Sequence, residues 1–110
     1  MTESRFPYEG PQELLPTITA ALERVIDPEV AMNIVDVGLV LGVTVAHGLV
    51  NVDVTMTSAA CPVADVIVED IEMQLDQVLP ADLKIHVELV WEPAWTPQRM
   101  SARARLLMGW

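Results

Sequence analysis

One residue in this sequence carries a thiol, and its neighbours suit it for chemistry. Cys61 is the only cysteine, set between Ala60 and Pro62. Proline fits the first position of a helix, where its missing N–H is not needed, so the spacing predicts Cys61 at a helix N-cap. Free backbone donors and the positive end of the helix dipole at that place favour a thiolate. They make the sulfur a better nucleophile or metal ligand. Thr57 and Ser58 stand just upstream, with hydroxyls able to hydrogen-bond a sulfur or the turn's own backbone. The residues alone leave a second reading open, because free cysteines are commonly small core hydrophobes.

A second group is Asp27-Pro28-Glu29, followed by Asn33-Ile34-Val35-Asp36-Val37-Gly38. Its carboxylates could bind a metal or steer a partner; equally, Asp27 and Asp36 could cap turns while Gly38 permits a tight backbone. His47 and His86 have no cysteine or histidine at metal-ligand spacing, so no zinc site is implied and both are expected in solvent. Asp65, Glu69, Glu72 and Asp76 share one helical face without a lysine among them, which makes a solvated surface or a docking face. Trp91 and Trp95 bracket Pro93 and are expected to close the open end of a small core.

The elements that must position these groups follow from periodicity. Pro16 opens a helix with Ile18, Ala21, Leu22 and Val25 on its apolar side, expected to stop at Asp27-Pro28 because proline disfavours helical geometry before it. Residues 27–36 are expected as a shaped loop entering the sheet. Leu39 to Ala46 alternates as a strand, with Leu39, Leu41, Val43 and Val45 on one face. His47-Gly48 supplies a turn, and Val50, Val52, Val54 and Met56 line one face of the next strand. The period then becomes helical, with Val63, Val66, Ile67, Ile71, Leu75 and Val78 on one stripe up to Pro80. A third strand carries Leu83, Ile85, Val87 and Leu89, and a last helix ends near Met108. The order is αββαβα, an α/β (α+β) two-layer sandwich: a small mixed three-stranded sheet with helices on one face. A right-handed crossover through the long helix predicts parallel second and third strands.

Composition sets outer bounds. A chain of 110 residues fits one domain, read as 16–110 after a flexible N-terminal tail at 1–15 that carries Pro7, Gly10 and Pro11. Six Lys and Arg against sixteen Asp and Glu give a net charge of -10. That charge repels phosphate backbones and anionic lipid, so nucleic acid and membrane are excluded as partners. A lone cysteine cannot form an internal disulfide, the N-terminus has no secretory pattern, and no apolar run reaches the roughly 20 residues that span a bilayer. A cytoplasmic protein is expected.

Three separated motifs, DPEVAMNIVDVGLV, TMTSAACP and VELVWEPAWTPQRMS, resemble in order and approximate spacing the SufT/PaaD-like (MIP18-type) iron–sulfur cluster assembly family. The resemblance covers nearly everything from Pro16 onward. It implies a non-enzymatic assembly or carrier protein that helps an iron–sulfur cluster reach apo-protein clients. The family's reactive cysteine falls on Cys61, and its surrounding acidic and hydroxyl positions fall on Asp27, Glu29, Thr57 and Ser58, with Asp36 nearby and Pro62 following the thiol. PaaD-type members, accessories of phenylacetyl-CoA epoxygenase, carry an added cysteine-rich tail, so the ending Arg103-Ala104-Arg105-Leu106-Leu107-Met108-Gly109-Trp110 resembles the SufT side. One thiolate is too few to hold a cluster, which generally takes four. Cys61 is therefore expected as a transient ligand, sharing a cluster in a homodimer or with iron–sulfur assembly proteins, or engaging a carrier by thiol exchange. The alternative is an adaptor that recruits partners through its acidic helix face while the thiol is incidental.

Overall fold

The computed structural model describes residues 5–57 and 64–109. The chain runs through β1 (Tyr8–Glu9), a 3-10 turn, α1 (Leu15–Leu22), β2 (Ile26–Asp27), β3 (Met32–Asn33), α2 (Ile34–Val37), β4 (Val40–Ala46) and β5 (Leu49–Val54). It continues through α3 (Ala64–Val78), β6 (Lys84–Leu89), a second 3-10 turn and α4 (Ala102–Met108). The mixed α/β class is as expected, and the αββαβα frame persists with short additions.

The central pairings follow the sequence pattern. β4 and β5 are antiparallel, joined by His47 and Gly48 at φ 55° and 77°, the left-handed pair that matches strand twist in a tight hairpin. β5 and β6 are parallel, as the crossover requires. Val43, Val45, Val50, Val52 and Val54 are buried in one core with Ile18, Leu22, Ile67, Ile71 and Leu75. On the other side of the strands Thr44, Lys84, His86 and Glu88 are exposed.

Four expectations need correction. The sheet has four strands in the order β1-β4-β5-β6, with β2-β3 forming a separate pair. The fourth strand comes from the supposed tail: Tyr8 pairs with Val43 in parallel register, the Val43 N–H donates to the Pro7 carbonyl at 2.9 Å, and Phe6 is buried. Prolines erase periodicity there, but a buried phenylalanine and β4's need for backbone partners order the segment. Second, α1 ends at Leu22 rather than near Asp27, and the shaped loop expected over residues 27–36 contains the turn of a small hairpin and most of α2. Third, a register shift between Val40 and Gly42 resets the alternation of β4, so Val40 is buried and Leu41 only half-buried. Fourth, the buried row of α3 is Ile67, Ile71 and Leu75, while Val66 and Val78 are 58% and 36% exposed. A strict four-residue row is narrower than the stripe read from the sequence, and Val66 lies roughly 100° around the helix from Ile67.

Candidate functional site

Ser58, Cys61 and Pro62, with the N-cap expectation for Cys61, lie outside the described residues. Their segment joins the end of β5 to α3, and its described border is informative. Thr57 is half-buried. Thr55, two residues before it, is fully buried, and its hydroxyl has no partner among the described residues. The strand pattern gave Val50, Val52, Val54 and Met56 one face and singled out nothing at Thr55. Its one signal is its place in Thr55-Met56-Thr57-Ser58, directly before the cysteine.

A ladder of backbone hydrogen bonds runs from Thr55 to the first acidic motif. The Thr55 N–H donates to the Leu39 carbonyl at 2.8 Å, Leu39 to Ile34 at 3.0 Å, and Ile34 to Val25 at 2.9 Å. Asp27 lies two residues beyond Val25 and begins the β2 to β3 turn, which the Ala31 N–H closes on the Asp27 carbonyl at 2.7 Å. The Asp27 side chain is wholly buried. One carboxylate oxygen accepts from the Glu29 N–H at 2.9 Å; the other, Oδ2, has no partner among the described residues. Burial pushes this carboxyl above its ordinary pKa and the Glu29 charge adds to that, while backbone donors at Glu29 and Val30 oppose it. Glu29 itself is exposed.

Asp36 is buried as well, yet richly satisfied. The Asn33 side chain caps α2 by accepting from the Asp36 N–H at 2.9 Å, and returns a donor to the Asp36 carboxylate at 2.6 Å. Arg5 pairs with the same carboxylate. Burial alone would raise this carboxyl, but hydrogen bonds from Asn33, Ser101 and Arg5, with the Arg5 charge, hold it below its ordinary pKa. The Asp36 carbonyl accepts from the Ser101 N–H at 2.8 Å, and Ser101 caps α4. Asp36 thus ties the N-terminal segment, α2 and α4 together, joining the Asn33 cap of α2 to Arg5 and Ser101.

The tryptophan motif completes this joint. Trp95 donates its indole N–H to the Val37 carbonyl at 2.7 Å, and the Arg99 Nε–H donates to the Gly38 carbonyl at 3.0 Å. Gly38 has φ 85°, and a Cβ there would stand 2.2 Å from the Arg99 carbonyl oxygen, so only glycine fits. Trp95 packs on the core as expected, whereas Trp91 is 44% exposed. His47 is exposed, and His86, also exposed, pairs with Glu88 at 3.1 Å. Asp65, Glu69, Glu72 and Asp76 are all exposed. Among the described residues no cluster of His, Cys, Asp and Glu could hold a metal ion, and no helix is long and apolar enough to cross a membrane.

Residues 16–89 match the family described as "Iron-sulfur cluster assembly protein". The chain belongs to this family. The matched span holds Asp27, Glu29, Asp36, Thr57, Ser58 and Cys61, while the Trp91 to Trp95 motif lies beyond it. Curated relatives include the Fe-S protein maturation auxiliary factor YitW of Bacillus subtilis, 38% identical over 89% of this chain and 96% of the relative. Another is the Fe-S protein maturation auxiliary factor SufT of Staphylococcus aureus, 38% identical over 77% of this chain and 97% of the relative. Among solved structures, a DUF59 domain from Bacillus anthracis superposes with a TM-score of 0.79 at 40% identity, covering 86% of this chain and 90% of that one.

Proposed function

We propose that this chain is a non-enzymatic maturation factor that passes iron–sulfur clusters to cytoplasmic apo-proteins, with Cys61 as the exchanging ligand. The Cys61 thiol loses its proton, and the thiolate donates an electron pair to a cluster iron as a ligand of the delivering protein departs. A client thiolate then displaces Cys61 in the same way, so neither step changes oxidation state. The cluster is cargo, shared with an assembly protein or a second copy that supplies the remaining ligands. Thr57 and Ser58 tune the sulfur by hydrogen bonding, while Asp27 and Glu29 orient the site.

The observation that carries this reading is the pair of buried polar atoms with no partner among the described residues, Asp27 Oδ2 and Thr55 Oγ1. They stand at the two ends of the ladder that borders the cysteine segment. Buried polar groups are ordinarily satisfied, so these two atoms call for a partner beyond the described residues, whether the cysteine segment, water or cargo. The decisive experiment is anaerobic reactivation of an apo-aconitase by the cluster-loaded wild type and Cys61→Ala. Transfer should fall to the background of cluster released into solution, with the circular dichroism of the variant unchanged. Undiminished transfer by Cys61→Ala would remove the mechanism.

An adaptor reading has one observation in its favour: α3 exposes Val66 and Met73 beside Glu69 and Asp70. Under it, Glu69→Lys with Glu72→Lys abolishes capture of assembly partners, and Cys61→Ala does not.

A further inference from the structure

The sheet closes its two edges differently. β1 covers β4, but β6 is terminal in the order β1-β4-β5-β6. The Lys84 N–H donates to the Gly48 carbonyl and the Val90 N–H to the Val54 carbonyl, at 2.8 and 2.7 Å. In a parallel ladder the bonding direction alternates along a strand, so Lys84, His86 and Glu88 bond to β5. Ile85, Val87 and Leu89 therefore turn their N–H and C=O groups to the open edge. Their side chains reach the core yet stay half-exposed. At the Lys84 end of the strand an open groove of about 850 Å³ is bounded by Glu72, Met73 and Asp76 of α3 and by Leu83, Lys84 and Ile85.

We propose that this edge is the interface of a two-fold homodimer in which β6 pairs antiparallel with β6 of a second copy. The sequence of the strand is complementary to itself in one register. With His86 on the axis, Ile85 stands opposite Val87 of the second copy and Lys84 opposite Glu88, and two-fold symmetry repeats both pairs. That register also opposes the outward backbone groups, as an antiparallel ladder needs. A shift of two residues opposes His86 to Glu88 and loses the Lys84 pairing, so charge selects the centred register. The result is an isologous contact that joins two sheets into one and covers the half-exposed apolar side chains. Glu72 and Asp76 border the groove beside Ile85, and their repulsion between copies is weakened by physiological salt. The surface does not depend on what Cys61 does.

Sedimentation equilibrium across a concentration series tests it with charge substitutions at the exposed Lys84 and Glu88 and one backbone substitution at the half-exposed Val87. Wild type is expected to dimerise reversibly. Lys84→Glu and Glu88→Lys each place two like-charge pairs in the interface and should weaken the dimer by about tenfold. The combined variant Lys84→Glu/Glu88→Lys restores opposite charges and should recover to within about threefold of wild type. Val87→Pro, which removes an outward donor without touching the bonds to β5, should be monomeric with its fold confirmed by circular dichroism. A chain that is monomeric at every concentration overturns the proposal and leaves the edge to a foreign strand. So does a dimer indifferent to the single charge changes, or one that the double swap fails to restore.

Discussion

Asp27 and Asp36 are both buried carboxylates, placed on either side of the same small hairpin, and the fold treats them in opposite ways. Asp36 has Asn33, Arg5 and Ser101 around it and is held below its ordinary pKa. Asp27 has only backbone donors, at Glu29 and Val30, no side-chain donor for Oδ2 among the described residues, and a raised pKa. Burial is common to the two and cannot explain the difference. What separates them is whether the chain provides partners for the charged form. A carboxylate whose charged form is met by donors holds structure together, whereas one whose pKa is raised by burial costs stability when ionised at neutral pH.

The largest effect should come from breaking the satisfied member. Asp36→Ala leaves Asn33 and Ser101 donors without their acceptor, leaves Arg5 only its pair with Glu23 and loosens the joint between α2 and α4. The expected loss is about 3 kcal/mol in denaturant unfolding at neutral pH. A loss below about 1 kcal/mol would show that these bonds do not anchor the C-terminal segment.

Asp27→Asn should do the reverse and sharpen the contrast. It removes a buried charge while keeping an oxygen for the Glu29 N–H, so stability at neutral pH should rise by about 1 kcal/mol as cluster transfer falls. The pH dependence carries the sign of each shift. Asp27 binds its proton more tightly when folded than unfolded, so its contribution is fully present below the ordinary carboxyl pKa and is lost as pH rises through the raised value. Asp36 binds its proton less tightly when folded, so its contribution is present above the ordinary pKa and is lost as pH falls through the depressed one. Unfolding curves across the acid range should therefore lose opposite slopes in Asp27→Asn and Asp36→Asn. Matching slopes would mean the two environments do not differ as described.

What the sequence made legible divides along the same line. Alternation in residues 39–56 gave the hairpin, because each side chain's face there is set by its neighbours along the strand. The stripe from Val63 to Val78 gave the long helix although only Ile67, Ile71 and Leu75 of it are buried among the described residues, and Pro28 set the first helix's end too late. Asp27 and Asp36 were both visible as candidates, since aspartate beside proline or before glycine is a local signal. Their opposite fates were not, because Asp36's partners Arg5 and Ser101 lie 31 and 65 positions away (36 − 5 and 101 − 36) and no periodicity links them. Thr55 went unread for a similar reason: one threonine among strand residues looks solvated until Leu39 is seen to take its N–H. Arg5 was hidden furthest, within a proline-rich segment that offers no pattern.

Arg5 therefore supplies the smallest and finest test. It reaches both Glu23 of the loop after α1 and Asp36 at α2, but its side chain is 37% exposed, so water already solvates much of its charge. Exposed pairs contribute little, and Arg5→Ala should lower stability by only about 0.5 kcal/mol. The more telling readout is Asp36, whose depressed pKa rests on Asn33 and Ser101 before Arg5. Followed by carboxyl carbon NMR through an acid titration, Asp36 in Arg5→Ala should move up toward its ordinary pKa without reaching it. A shift past that value, to the side on which Asp27 lies, would mean that one surface arginine alone separates the two aspartates, and that the capping network around Asn33 does not.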